Sequence, residues 1–203
     1  MTLFCVVLNG SPILVYGLKS SPRDEAGSVV ESLKQRGLIC HIVSGDAPKV
    51  VEDVANTLGI EITYIAARAS PADKQQYVEA LQTSGKVILF VGDGTNDAVA
   101  IAQANVGAQI GNTSDVTSAV ADVVLLNGLN GVVTLLDVSK RAFHRIIFNF
   151  VWTAVYNVFA ILLAAGAFVK FRIPPGYAGL GEIASVGPVI LAAVTLMFEK
   201  RKA

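Results

Sequence analysis

The sequence predicts an α/β fold, a mostly parallel sheet with helices on both faces, followed by two long apolar helices. Three observations carry that expectation. Short apolar runs alternate with helix-period segments through the first two thirds of the 203 residues, joined by brief connections. Glycine-containing acidic turns, Ser44-Gly45-Asp46 and Gly92-Asp93-Gly94, follow directly on two of those runs. The last third is nearly free of charge in two stretches, although the whole chain balances 16 basic against 16 acidic residues.

Taken in order, "LFCVV" and "ILVYGL" flank the turn "NGSP", and an Asn-Gly pair between apolar runs predicts a β-hairpin. Residues 24–36 have helical spacing, with Val29, Val30 and Leu33 on one side and Gly37 as the stop. "LICHIV" reads as a buried strand that ends at Ser44-Gly45-Asp46. A helix over 48–58 and the strand "ITYIAA" follow, then a helix over 71–81 and the strand "KVILFV" leading into Gly92-Asp93-Gly94. A short helix, "NVGAQIG", a helical turn near Asp115 and the strand "ADVVLL" complete the region. In parallel sheets reactive groups collect at the carboxyl ends of strands, where both acidic turns stand.

Residues 146–169 are apolar except for Asn149, Thr153 and Asn157, long enough to cross a hydrocarbon layer of about 30 Å. Residues 180–198 form a second run, interrupted by Glu182, Gly187 and Pro188. Lys140, Arg141 and Arg145 precede the first run, and Lys200, Arg201 and Lys202 follow the second. Basic outer flanks predict a multi-pass hairpin with both ends cytoplasmic, a bias that Lys170 and Arg172 in the loop weaken without reversing. The expected division is therefore 1–138 and 139–203. Balanced charge gives no reason to expect nucleic acid as a partner. "MTLFCVVLNG" lacks the basic start and small-residue site of a signal peptide, and Cys5 and Cys40 read as small buried side chains.

The acids at the second turn invite a chemical reading. Glycines on both sides of Asp93 let backbone approach a ligand, and Asp97 falls in the first turn of the next helix. Two carboxylates so spaced can ligate Mg²⁺ and orient its water shell, while Asn96 can donate to a phosphate oxygen. A Gly-rich turn with a helix-start acid is the plainer alternative for an isolated G-D-G.

The longer string "VGDGTNDAVAIAQANVGAQIG" resembles the G-D-G-x-N-D hinge motif of P-type ATPases and, more broadly, haloacid dehalogenase-like phosphotransferases. "IVSGD" resembles the family's T/S-G-D segment, which implies that Ser44, with Gly45 and Asp46 beside it, binds the transferred phosphoryl group. "SPADK" resembles the P-x-D-K segment, implying Lys74 as the cation on the phosphoryl oxygens. The resemblance implies Mg²⁺ at Asp93 and Asp97, and ATP in an intact family member. "FNFVWTAVYNVFAILLAAG" is similar to the penultimate membrane helix of the heavy-metal pumps, implying that Tyr156 and Asn157 face the ion. "IPPGYAGLGEIASVGPV" is similar to the approach to the last helix, with Glu182 and Ser185 where copper pumps place Met and Ser. The implied partners are the lipid bilayer, a cation (Cu⁺, Cd²⁺ or Zn²⁺) and a full-length pump or metallochaperone. The missing thioether weighs against Cu⁺.

The segments D-K-T-G-T, T-G-E and C-P-C do not occur in these 203 residues, and Ser20-Ser21-Pro22-Arg23 stands where the family shows D-x-L-R. The resemblance thus covers nearly all of this chain but about the C-terminal third of a family member. Ser44, Lys74, Asp93, Asn96 and Asp97 would supply the electrostatic half of a phosphorylation site without its nucleophile, so the chain alone is expected neither to phosphorylate itself nor to pump. A membrane-anchored remnant or regulatory module fits the same residues. A stand-alone phosphatase would need D-x-D near the first strand, where Asn9 stands.

Overall fold

The structure is a computed structural model and describes residues 2–18, 21–111, 119–165 and 178–199. The helical turn expected near Asp115, the loop cations Lys170 and Arg172 and the tail Lys200, Arg201 and Lys202 lie outside those residues. The chain divides into two units, residues 1–135 and 136–203.

The first unit opens with strands β1 (Thr2–Leu8) and β2 (Ser11–Leu18), paired antiparallel. Asn9 at φ 51° and Gly10 at φ 83° make the turn, as the Asn-Gly pair requires. Val6, Val7, Leu8, Ile13, Leu14 and Val15 are exposed on this two-stranded ribbon. Cys5 is exposed as well, contrary to expectation, because it lies on that ribbon and not inside the α/β layers.

Helix α1 (Ala26–Gln35) ends at Gly37, whose φ of 78° suits the left-handed stop. Next come β3 (Ile42–Val43), α2 (Pro48–Thr57), a 3₁₀ turn (Ile62–Tyr64), β4 (Ile65–Ala66) and α3 (Pro71–Thr83). Strand β5 (Leu89–Gly92) leads through the 3₁₀ turn Thr95–Asp97 into α4 (Ala98–Gln103), followed by β6 (Val106–Ile110) and β7 (Val123–Leu125). All ladders after the hairpin are parallel: β3 with β4, and β5–β6–β7. The strands are shorter than expected. "LICHIV" contributes Ile42 and Val43 alone, because β4 offers it just two partners before the chain turns, and "ITYIAA" spends its first three residues on the 3₁₀ turn.

Packing, more than pairing, holds the layers together. Ala108, Leu125 and Val132 are buried together, with Leu33, Leu89 and Val91 against them. Gly107 exists for the closeness of α4: a Cβ there would meet the Ile101 carbonyl and, at 2.6 Å, its Cγ2. Ile101 itself is buried.

Between β3 and α3, the His41 Nδ1 stands 2.8 Å from the Tyr77 hydroxyl, and its ring lies 4.9 Å from that of Tyr64. Burial lowers the His41 pKa, and the charge of Lys86 adds to it; burial also pushes the nearby Cys40 thiol up.

The second unit contains most of α5 (Asn130–Ala164) and α6 (Ala178–Glu199). Helix α5 begins well before the apolar run at 146, and none of that apolar stretch is fully buried. Its 35 residues reach about 50 Å, more than the hydrocarbon layer needs. Asn149, Trp152, Tyr156, Ala160 and Leu163 are half-buried at spacings of three and four, one helical stripe. That stripe meets α6: Tyr156 Oη donates to the Gly181 carbonyl at 2.7 Å and Trp152 Nε1 to the Ser185 carbonyl at 3.1 Å.

The aromatic setting of His41 predicts a pH effect. The unfolded chain binds a proton near the ordinary histidine value of 6.5 and the folded chain only at lower pH, so the unfolded state carries more protons in that window. Stability should be full above about 6.5 and decline as pH falls below it. Urea midpoints between neutral pH and that window should show the decline, and His41→Gln should flatten it.

Candidate functional site

Two strand tips and the start of one helix gather the polar groups. Ser44, just past β3, donates its N–H to the Ala66 carbonyl at 2.9 Å, which continues the β3–β4 ladder by one bond. Its Oγ donates to Asp46 Oδ2 at 2.9 Å and accepts the Asp46 N–H at 3.2 Å, so the Ser44-Gly45-Asp46 turn is closed by its own side chains. The Ser44 carbonyl accepts the Ala69 N–H at 2.9 Å, and the Asp46 carbonyl accepts the Arg68 N–H at 2.8 Å. Those two bonds fasten the turn to the residues that lead into α3.

Helix α3 begins with a capping box. The Ser70 hydroxyl accepts the Asp73 N–H at 3.2 Å and the Asp73 carboxylate accepts the Ser70 N–H at 2.9 Å, with Pro71 at the first helical position. The Ser70 hydroxyl also donates to Asp73 Oδ2 at 2.7 Å, and that bond, helped by the Ser70 N–H, holds the Asp73 carboxyl below the usual carboxylate range. The next residue, Lys74, is thereby aimed from a fixed first turn. Its Nζ donates to Asp97 Oδ1 at 2.7 Å, and both side chains are only 13% exposed.

The other Asp97 oxygen, Oδ2, accepts the Asp93 N–H at 3.4 Å. Asp97 therefore ties the tip of β5 to α3. Asp93 points outward instead: its side chain is 61% exposed and its Oδ2 lies 3.5 Å from the Arg23 guanidinium. Asn96 is exposed in the 3₁₀ turn between them. Sequence reading expects both acids at Mg²⁺, with Asp93 the more important ligand. The structure separates them, because one oxygen of Asp97 is taken by Lys74.

Lys74, Asp93 and Asp97 thus come together directly, and Ser44 and Asp46 join them through the backbone bonds to the approach of α3. Sequence reading missed two features. Gly92 was taken to admit a ligand, yet a Cβ there would meet Asp97 Cβ at 2.6 Å and Oδ2 at 2.8 Å; it makes room for the carboxylate. The pairing of Arg23 with Asp93 joins residues 70 positions apart, and no local pattern signals it.

In the second unit, the Tyr156 hydroxyl faces α6 through the Gly181 carbonyl, whereas Asn157 is exposed on the other side of α5. Ser185 is half-buried, and the Glu182 side chain lies outside the described residues. Among the described residues, no three His, Cys, Asp or Glu side chains gather as a metal-binding group.

Gly92→Ala should displace Asp97 and loosen its bond to Lys74, costing about 1–3 kcal/mol as an overpacked site. Urea unfolding measures the loss, and a Lys74→Met background should shrink the penalty because the pair is then already broken.

Residues 6–105 match the haloacid dehalogenase-like hydrolase family. The chain is 36% identical over 200 residues to the copper-transporting ATPase RAN1 of Arabidopsis thaliana, a match covering 97% of this chain and 20% of that protein. It is 37% identical over 182 residues to copper-transporting ATPase 1 of Mus musculus, covering 88% and 12% respectively. A zinc-transporting PIB-type ATPase in its E2.Pi state superposes with a TM-score of 0.75 at 25% identity, over 95% of this chain and 30% of that one. The catalytic domain of the CPx-ATPase CopB-B superposes with a TM-score of 0.56 at 35% identity, over 65% and 52%. The chain spans about a fifth of the length of the first curated relatives it matches. It is therefore a chain with a haloacid dehalogenase-like domain whose homologues are the copper- and heavy-metal-transporting P-type ATPases.

Proposed function

We propose that this chain acts as the C-terminal portion of a heavy-metal-translocating P-type ATPase. Residues 44–46, 74 and 93–97 form the Mg²⁺- and phosphoryl-binding half of its phosphorylation site, and α5 and α6 lie in the membrane beside the path of the metal. The observation that carries this reading is the little-exposed Lys74–Asp97 pair at 2.7 Å, set behind the outward carboxylate of Asp93.

The donor set suits Mg²⁺. The strand tip offers carboxylate oxygens and no nitrogen or sulfur ligand, and Mg²⁺ takes one or two carboxylates with phosphate oxygens while keeping several waters. When bound, Mg²⁺ supplies charge neutralisation at the phosphoryl oxygens. Asp93, outward and 61% exposed, is the direct ligand; Asp97 holds Lys74 and the Asp93 N–H in place. The Lys74 ammonium keeps further N–H donors for a phosphoryl oxygen. The Ser44 hydroxyl, which donates to Asp46, must turn its proton from that carboxylate to a phosphoryl oxygen to serve the same group. The nucleophile and ATP-binding surfaces belong to chain beyond these residues.

For the cargo, Asn157, Glu182 and Ser185 supply oxygen donors, and Tyr156 pins α5 to α6 through the Gly181 carbonyl. Oxygen donors favour Zn²⁺ or Cd²⁺ over Cu⁺, which soft ligands select. The basic flanks set both ends on the cytoplasmic side. A stand-alone phosphatase fits less well, because Asn9 sits in the turn of an antiparallel hairpin and not at the tip of a parallel strand.

Calorimetric titration of Mg²⁺ tests the site. Asp93→Asn should abolish measurable binding or weaken it by about tenfold or more, roughly the 1.4 kcal/mol or more expected of a lost charged ligand. Asp97→Asn should weaken it less; equal losses would return the two acids to equivalent roles. For the membrane reading, size-exclusion chromatography should give a single species in detergent and aggregates without it. A monodisperse monomer in plain buffer would remove the helices from the bilayer.

A further inference from the structure

The two acids at the tip of β5 have counterions of opposite character. Lys74 and Asp97 meet at 2.7 Å with both side chains 13% exposed. Arg23 and Asp93 meet at 3.5 Å with side chains 50% and 61% exposed. The first pair is anchored at the capped start of α3. The second comes from the residues between β2 and α1, where the Arg23 carbonyl accepts the Ala26 N–H at 2.9 Å.

Physical chemistry treats these pairs differently. An exposed pair at this separation is weak and falls away with salt, because water and mobile ions compete for both partners. A divalent cation brings twice the charge and direct coordination to the same carboxylate. Arginine has no acceptor atom and stays charged at any accessible pH, so it cannot share Asp93 with a metal by giving up a proton. Its planar fork matches phosphate oxygens as well as carboxylate oxygens, so a phosphoryl group is its natural next partner.

We infer that Arg23 is the exchangeable counterion of Asp93: it occupies the carboxylate while the metal is absent, yields it to Mg²⁺, and thereby links occupation of the strand tip to the segment joining the hairpin to α1. This rests on the Mg²⁺ reading above and adds a residue to it. Arg23 acts through Asp93 and is a positioning residue. Lys74 is less suited to that part, since it meets the little-exposed Asp97 at 2.7 Å, where water and salt compete less for the pair.

Titration of Mg²⁺ into the detergent-solubilised chain and its Arg23→Gln and Arg23→Lys variants provides the test. Arg23→Gln should tighten the dissociation constant by about two- to fivefold at low ionic strength. That gain should shrink at about 0.15 M salt, while Arg23→Lys stays near the parent. A second measurement leaves Arg23 unaltered: the ¹⁵Nε resonance of Arg23 should move during the titration with the calorimetric midpoint, and stay still in Asp93→Asn. Unchanged or weaker Mg²⁺ affinity in Arg23→Gln, or a motionless Arg23 signal, with binding still dependent on Asp93, overturns this inference alone. Mg²⁺ binding that is absent, or indifferent to Asp93→Asn, overturns the site reading and the inference with it.

Discussion

The ion pair between Lys74 and Asp97 is the constraint around which the first unit is organised. Two opposite charges with little exposure at 2.7 Å are tolerable only when each is held in place and otherwise satisfied, since desolvation costs are large. The fold meets that condition from three directions. A capping box fixes the first turn of α3, Gly92 leaves space for the carboxylate, and the Asp93 N–H binds its second oxygen. Gly107 in turn lets Ile101 of α4 settle close against β6, which fixes the helix that begins at Asp97. The pair is thus a clamp between helix and strand tip.

A clamp of this kind makes the two acids unequal. Asp97 has its oxygens engaged within the protein, and Asp93 presents its carboxylate outward to a loosely held guanidinium. In a phosphoryl-transfer site the protein contributes position and charge, and little covalent chemistry. On the proposed reading, the engaged acid would set position and the outward one would offer charge. The chain is similar to copper- and zinc-transporting ATPases, and the proposed half-site would serve in such a setting.

The second unit follows a different rule. With apolar side chains exposed along α5, polar groups are directed at the neighbouring helix backbone, where hydrogen bonds replace water. Gly181 is small because the Tyr156 hydroxyl would stand 2.8 Å from any Cβ there. An aromatic hydroxyl and a glycine therefore form one contact, and the Tyr-Asn pair divides, with Tyr156 turned to α6 and Asn157 exposed.

Local chemistry determined much of this in advance. The Asn-Gly turn, the Gly37 stop, the helix that starts at Pro71, and the alternation that makes ladders parallel all depend on residues within a few positions of one another, and each is found. The acids at the strand tip were visible for the same reason, since glycine and carboxylate patterns are short. Tertiary structure alone decided what distance along the chain conceals: that Lys74 closes on Asp97, that Arg23 reaches Asp93, and that β3 and β4 keep only two pairs each. Which oxygen of an acid is engaged, and which is left for a ligand, depends on where an unrelated segment packs, and sequence spacing carries no record of that contact.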